Sequence, residues 1–248
     1  PSTTDMVLEA ERDMLLSKGA SNLRVDINYD AWLNNDVVTI SRYDKIFSDI
    51  RNRTGILSLA DASAEQLRQN KLPWSQYKEE WVQRVQVIAE RYHPDYYMVV
   101  KEPGWYYPFL TDFPVNPALI DPVEWTNLTQ RLVDAVKSVS PVTKIGGAVA
   151  ADSIRSRPKL YVPYLNALSG MSGISMIGFD IYTASGFEAT ELYLNQYGVG
   201  DREAWVAEAW SADNSSIYDS SRGELDAKWM RVLYYFAQTH NIRLISPF

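Results

Sequence analysis

Tyr96-Tyr97-Met98-Val99-Val100-Lys101-Glu102-Pro103 and, later in the chain, Ala204-Trp205-Val206-Ala207-Glu208-Ala209-Trp210 follow one pattern. Each is a short apolar run, rich in aromatic and β-branched residues, that breaks on a glutamate. Runs of that length and makeup read as buried strands. If both belong to one parallel sheet closed into a barrel, their C-terminal ends lie on the same rim. A (β/α) barrel keeps its chemistry on that rim, so Glu102 and Glu208 would face each other there.

The rest of the chain supports the barrel by its rhythm. Thr4 or Asp5 can cap a helix that runs to Lys18 and closes at Gly19, and residues 23–27 follow as a strand. A helix over 41–53, a strand over 55–60 and a long amphipathic helix over 74–92, stopped by Pro94, lead into the strand that carries Glu102. The second half repeats the alternation. Helix 122–139 precedes strand 144–150, helix 161–168 precedes strand 174–181, and helix 189–197 precedes strand 205–207. Helix 221–239 and strand 242–245 close the series. Such alternation implies a parallel sheet covered by helices.

The reading is therefore an α/β chain with the (β/α)8 TIM-barrel fold, one domain over 1–248. It has seven candidate strands, so strand 1 and the last helix are expected outside this sequence, supplied by another segment or chain. An open, doubly wound sheet is the alternative architecture. No low-complexity linker divides the chain.

Composition excludes several functions. The formal charge of -7 and the scatter of basic residues give no surface for a phosphate backbone, so no nucleic-acid partner is expected. The absence of cysteine removes disulfides, thiolate catalysis and thiolate-bound metals. His93 and His240 are the only histidines, and both fall near helix C-termini, where a His is favoured electrostatically. No metal and no cofactor are expected, and the glycine pairs lack the spacing of a nucleotide-binding loop. No signal peptide or membrane-spanning run is visible. A secreted location is favoured slightly over a cytoplasmic one.

Two facing carboxylates beside aromatic side chains suit glycoside hydrolysis, in which one protonates the leaving oxygen and the other attacks the anomeric carbon. The loop Gly104-Trp105-Tyr106-Tyr107 offers Trp105 and Tyr106 as a wall for a sugar ring, and Trp210 lies two residues past Glu208. Trp32, after the strand that contains Arg24, is a candidate for the opposite wall. Asp61, after Leu59-Ala60, is placed to bind a hydroxyl.

In strand order the chain resembles the large clan of retaining (β/α)8-barrel glycoside hydrolases. That resemblance implies Glu102 as the acid/base at the end of strand 4 and Glu208 as the nucleophile at the end of strand 7. It also implies Arg24 as the strand 2 arginine that orients the nucleophile, and Tyr182 as the strand 6 tyrosine that donates a hydrogen bond to it. An oligosaccharide or polysaccharide would be the partner. One position departs from the clan. The acid/base glutamate usually follows an asparagine that contacts the sugar 2-hydroxyl, and here Lys101 stands in its place. A lysine carries charge and only donates, whereas an amide donates and accepts. Two rival functions follow: a carbohydrate-binding barrel without activity, or a Schiff-base aldolase that uses Lys101 or Lys144.

Overall fold

The computed structural model describes residues 10, 12–14, 17, 23–27, 31, 36–61, 73–103, 121–209, 222–242 and 244–247. Seven strands are described: β1 (Arg24–Ile27), β2 (Ser58–Asp61), β3 (Tyr96–Lys101), β4 (Lys144–Ala150), β5 (Ile174–Ile181), β6 (Glu203–Ala209) and β7 (Leu244–Pro247). They pair in chain order, and every pairing is parallel. Between them run α1 (Val37–Thr54), α2 (Trp74–Tyr92), α3 (Pro122–Val139), α4 (Ala151–Ser156), α5 (Pro158–Gly170), α6 (Ala184–Gln196) and α7 (Arg222–Thr239).

The sheet curls. A flat sheet with strands about 4.8 Å apart would hold β1 and β6, five steps distant, roughly 24 Å from each other. Yet the Arg24 guanidinium on β1 donates to the Ala207 carbonyl on β6 and lies 3.6 Å from Glu208. Only a sheet rolled towards closure allows that reach. The fold is the (β/α) barrel that the alternation predicts.

Helix boundaries follow local chemistry. α1 begins at Asp36, whose carboxylate accepts from the Val38 and Thr39 amides, and ends at Gly55 in the left-handed conformation. That turn moves the start of β2 from 55 to 58. α3 starts at Asp121-Pro122, a capping carboxylate followed by proline in the first turn. The predicted helix over 161–168 is longer and has a companion, α4, which the sequence pattern does not signal because it spans only six residues.

Outside the barrel, α2 packs on α3 through Trp74, Tyr77, Trp81 and Trp125, all at most 2% exposed. The Trp74 and Trp125 ring centroids are 5.0 Å apart. Much of the chain's aromatic content is therefore core.

Inside, space is tight. A Cβ on Gly178 of β5 would meet the Ala148 Cβ at 2.8 Å, the Ala207 Cβ at 3.0 Å and the Met98 Cε at 3.2 Å. Gly146 faces Trp205 in the same interior, whereas Gly147 faces Leu168 and Tyr164 of α5. These contacts fix which residues point inward: Met98 on β3, Gly146 and Ala148 on β4, Gly178 on β5, Trp205 and Ala207 on β6.

Gly178→Ala should therefore cost about 1–3 kcal/mol through overpacking. Gly170→Ala, at an exposed helix end with nothing within 4 Å of a new Cβ, should be neutral or stabilise by about 0.4–1 kcal/mol. Urea denaturation midpoints measure both.

Candidate active site

Strict alternation would not build this site. With Met98 inward, Val100 would also point inward and Lys101 outward. The β3–β4 register slips between Met98 and Val100, so that Val100 pairs with Gly147 and Lys101 with the inward Ala148. One extra residue thus turns Lys101 into the barrel. β6 carries a matching slip. Phe179 pairs with Val206, but Asp180 pairs with Glu208, so Ala207 is the extra residue. With Ala207 already inward, the slip is what aims Glu208 inward as well. Bulges beside active sites re-aim side chains in this way.

Glu102 follows Lys101 directly and would face away from it in a regular strand. Its φ of 51° places it in the left-handed region, which is uncommon for any residue but glycine. Such a conformation costs on the order of 1–3 kcal/mol and persists where neighbours hold it. Here the Glu102 amide donates to the Ala148 carbonyl at 2.9 Å, and the Tyr161 hydroxyl donates to the Pro103 carbonyl just beyond. Burial pushes the Tyr161 phenol up to about 12, so it remains a donor.

The result is an ion-pair network across three strands. On β1, Arg24 and Asp26 share the inward face, and Arg24 Nε lies 3.0 Å from Asp26 Oδ1. Lys101 Nζ lies 3.3 Å from Asp26 Oδ2 and in direct contact with Glu208 Oε2. Arg24 approaches the same oxygen of Glu208 at 3.6 Å. Burial works against the charge on Lys101, but Asp26, with help from Asp180 and Glu208, raises its pKa above the ordinary value.

Tyr182, just past β5, donates to Glu102 Oε1 at 2.8 Å. This corrects the expectation that it donates to the nucleophile position. A phenol has one proton to give, and the left-handed turn at Glu102 brings that carboxyl within its reach. Burial, then the charges of Asp180 and Glu102, keep the phenol protonated by raising its pKa. Burial likewise raises the pKa of Glu102, reinforced by Glu208 and opposed by Tyr182 and Lys101.

Asp180 belongs to the site too; the sequence offers it, near a strand end, as a hydroxyl ligand or as a cap or core-rim partner. It is fully buried. Burial, together with Glu102 and Glu208, raises its pKa well above its ordinary value. Its signal was the Phe179-Asp180-Ile181 run itself: a charged residue inside an otherwise apolar strand.

Trp32, Trp105, Tyr106 and Trp210 lie outside the described residues. Asp61 ends β2 in register with Ile27, and its side chain is likewise outside the description. Lys144 begins β4, at the opposite end of the barrel from Glu102, where it pairs with Glu203 at 3.3 Å. That position removes it from the rim. His93 caps α2. Among the described residues, no group of His, Asp and Glu is arranged to hold a metal ion, and no helix is long and apolar enough to cross a membrane.

Fold comparison agrees with the barrel reading. The chain is similar to a β-glucosidase from Thermotoga maritima in complex with deoxynojirimycin, with a TM-score of 0.71 and 10% identity. That alignment covers 97% of this chain and 76% of the other. The same enzyme in complex with glucoimidazole aligns with a TM-score of 0.71 and 12% identity over 98% of this chain and 77% of the other. Another structure, described as a family 1 β-glucosidase from Thermotoga maritima, gives 0.69 and 10% over 97% and 76%. No protein-family model and no curated protein matches the chain.

The raised pKa of Glu102 has a consequence for stability. Between its ordinary value and its folded value, the folded protein holds a proton that the unfolded chain releases. The contribution is complete below the ordinary carboxylate range and is lost as pH climbs towards the folded pKa. Glu102→Gln should flatten that part of the stability curve, measured by urea denaturation at a series of pH values.

Proposed function

We propose that this chain is a retaining glycoside hydrolase that cleaves β-linked oligo- or polysaccharide by double displacement. The observation that carries the reading is the pair of inward carboxylates, Glu102 and Glu208, at the C-terminal ends of β3 and β6. They lie close enough for the charge of Glu208 to act on Glu102. The β-glucosidase neighbours, which share the barrel at low identity, support it.

The two carboxyls have the contrasting environments that the chemistry needs. Glu102 is the acid, its proton favoured by burial. Glu208 faces the Arg24 guanidinium at 3.6 Å, which suits a carboxylate nucleophile. In the first step the Glu208 carboxylate attacks the anomeric carbon while Glu102 protonates the departing oxygen. In the second, Glu102, now a base, takes a proton from water, which displaces Glu208 and restores the sugar with its original configuration. Tyr182 holds Glu102 in place through both steps. Trp105, Tyr106, Trp210 and Trp32 are proposed as the aromatic walls, with Asp61 as a hydroxyl ligand.

One observation favours a second reading. The Lys101 ammonium sits directly on Glu208, where it blunts the nucleophile. A carbohydrate-binding barrel without turnover would tolerate such a contact. The Schiff-base reading is less well supported, because a Lys101 with raised pKa is a poor amine nucleophile.

Hydrolysis of a panel of β-linked glycans, with product anomers followed by NMR, separates these readings. The wild type should release β product. Glu102→Gln should lose about 10²–10⁴-fold in rate, and Glu208→Gln should lose turnover. An α product would overturn retention. Saturable binding without hydrolysis, unaffected by Glu208→Gln, would establish the binding protein instead.

A further inference from the structure

The site holds more carboxyls than the double displacement uses. Arg24 and Lys101 supply two positive charges, and Asp26 and Glu208 supply the two negative charges paired with them. That part is balanced. Glu102 adds a third carboxyl, which carries the catalytic proton. Asp180 is the fourth, and the proposed mechanism gives it no work.

Its placement is unusual. Asp180 lies on β5 in register with Glu208 and is 0% exposed. Neither carboxyl oxygen has a hydrogen-bond partner among the described residues. An ionised carboxylate without hydrogen bonds is among the costliest groups to bury. Asp26, by contrast, keeps two cations beside it and is partly exposed. The charged and titratable groups around Asp180 are Arg24 on β1, Lys101 and Glu102 at the end of β3, Tyr182 after β5 and Glu208 on β6.

We infer that Asp180 is a positioning residue that works as a neutral carboxylic acid and leaves Lys101 to its pairing with Asp26 and Glu208. The physical argument is competition for one ammonium. Lys101 is within electrostatic range of Asp180, Asp26 and Glu208 at once. With Asp180 neutral, two cations meet two anions and the network closes. An ionised Asp180 would attract the ammonium away from Glu208 and place a further negative charge beside Glu102. Both changes bear on the proposed chemistry, the first through the cation that faces Glu208 and the second by raising the pKa of Glu102 further. A neutral Asp180 thereby preserves the arrangement described above. This role in turnover rests on the glycosidase reading, whereas the protonation state does not.

Two measurements test the inference separately. The first uses infrared spectroscopy of the full chain carrying ¹³C-labelled aspartate. Exposed aspartates are ionised at neutral pH, and Glu102 is unlabelled and silent. A labelled carboxylic-acid carbonyl band should persist at neutral pH and vanish in Asp180→Asn. Absence of that band in the wild type overturns the inference, whatever the variants do and whether or not glycans are cleaved.

The second measurement is the pH profile of kcat/KM. Asn matches the neutral acid in shape and cannot ionise. Asp180→Asn should therefore leave the alkaline limb, which Glu102 sets as it loses its proton, where it stands in the wild type. A limb displaced to lower pH in Asp180→Asn would mean that the substitution had removed an anion from beside Glu102, which overturns the inference. A wild type that cleaves no glycan defeats the glycosidase reading alone, and the infrared result then stands by itself.

Discussion

Arg24 is the hinge on which this architecture turns. Its side chain is 4% exposed, yet it crosses the barrel from β1 to meet the Ala207 carbonyl and Glu208 on β6. A guanidinium can do this because it presents several donors in a fixed plane and keeps its charge under burial. Lysine in its place would offer one compact charge and could not serve Asp26, the carbonyl and Glu208 together. The contact reaches from β1 to β6 and meets Glu208 at the same time, so the curvature of the sheet and the placement of Glu208 go together. Buried ion pairs are seldom a net source of stability, because desolvation offsets much of the attraction. Their worth in this chain lies in arrangement: four charged groups from three strands meet in one network.

The barrel was legible in the sequence because it depends on periodicity. Strand and helix alternate, the apolar runs are short, and Pro94 stops the long helix over 74–92. Errors fell where local capping, rather than pattern, sets the boundary. Gly55 ends α1 by adopting a left-handed conformation, and this shifted β2 by three residues. α4 escaped because a six-residue helix is too short to show a repeating apolar face.

The site was legible in part, and for a different reason. Glu102 and Glu208 announced themselves as charges at the ends of apolar strands. Their orientation did not. Two bulges, at Val99 and Ala207, decide that Lys101 and Glu208 point inward, and nothing in the residue pattern marks a bulge made by Val or Ala. The expected direction of the Tyr182 hydrogen bond failed for the same cause. The left-handed turn at Glu102 is a backbone feature of a non-glycine residue, and sequence gives no warning of it. Asp180 was visible as a charge in a buried strand, but its isolation from every described hydrogen-bond donor is a fact of packing.

Lys101 is where these threads meet. The amide expected at that position in the clan would sit beside the acid without adding charge. A lysine adds a cation, and a buried cation must be matched. Asp26 lies 3.3 Å away on β1 and supplies the match, while Glu208 supplies a second. The substitution therefore does not stand alone: it makes sense only with an acidic residue two positions past Arg24 on the same face of β1. A neutral Asp180 completes the same logic, since a third anion would leave the two cations outnumbered even with the acid protonated. The chain thus carries a charge pattern that is internally consistent but different from a simple carboxylate pair.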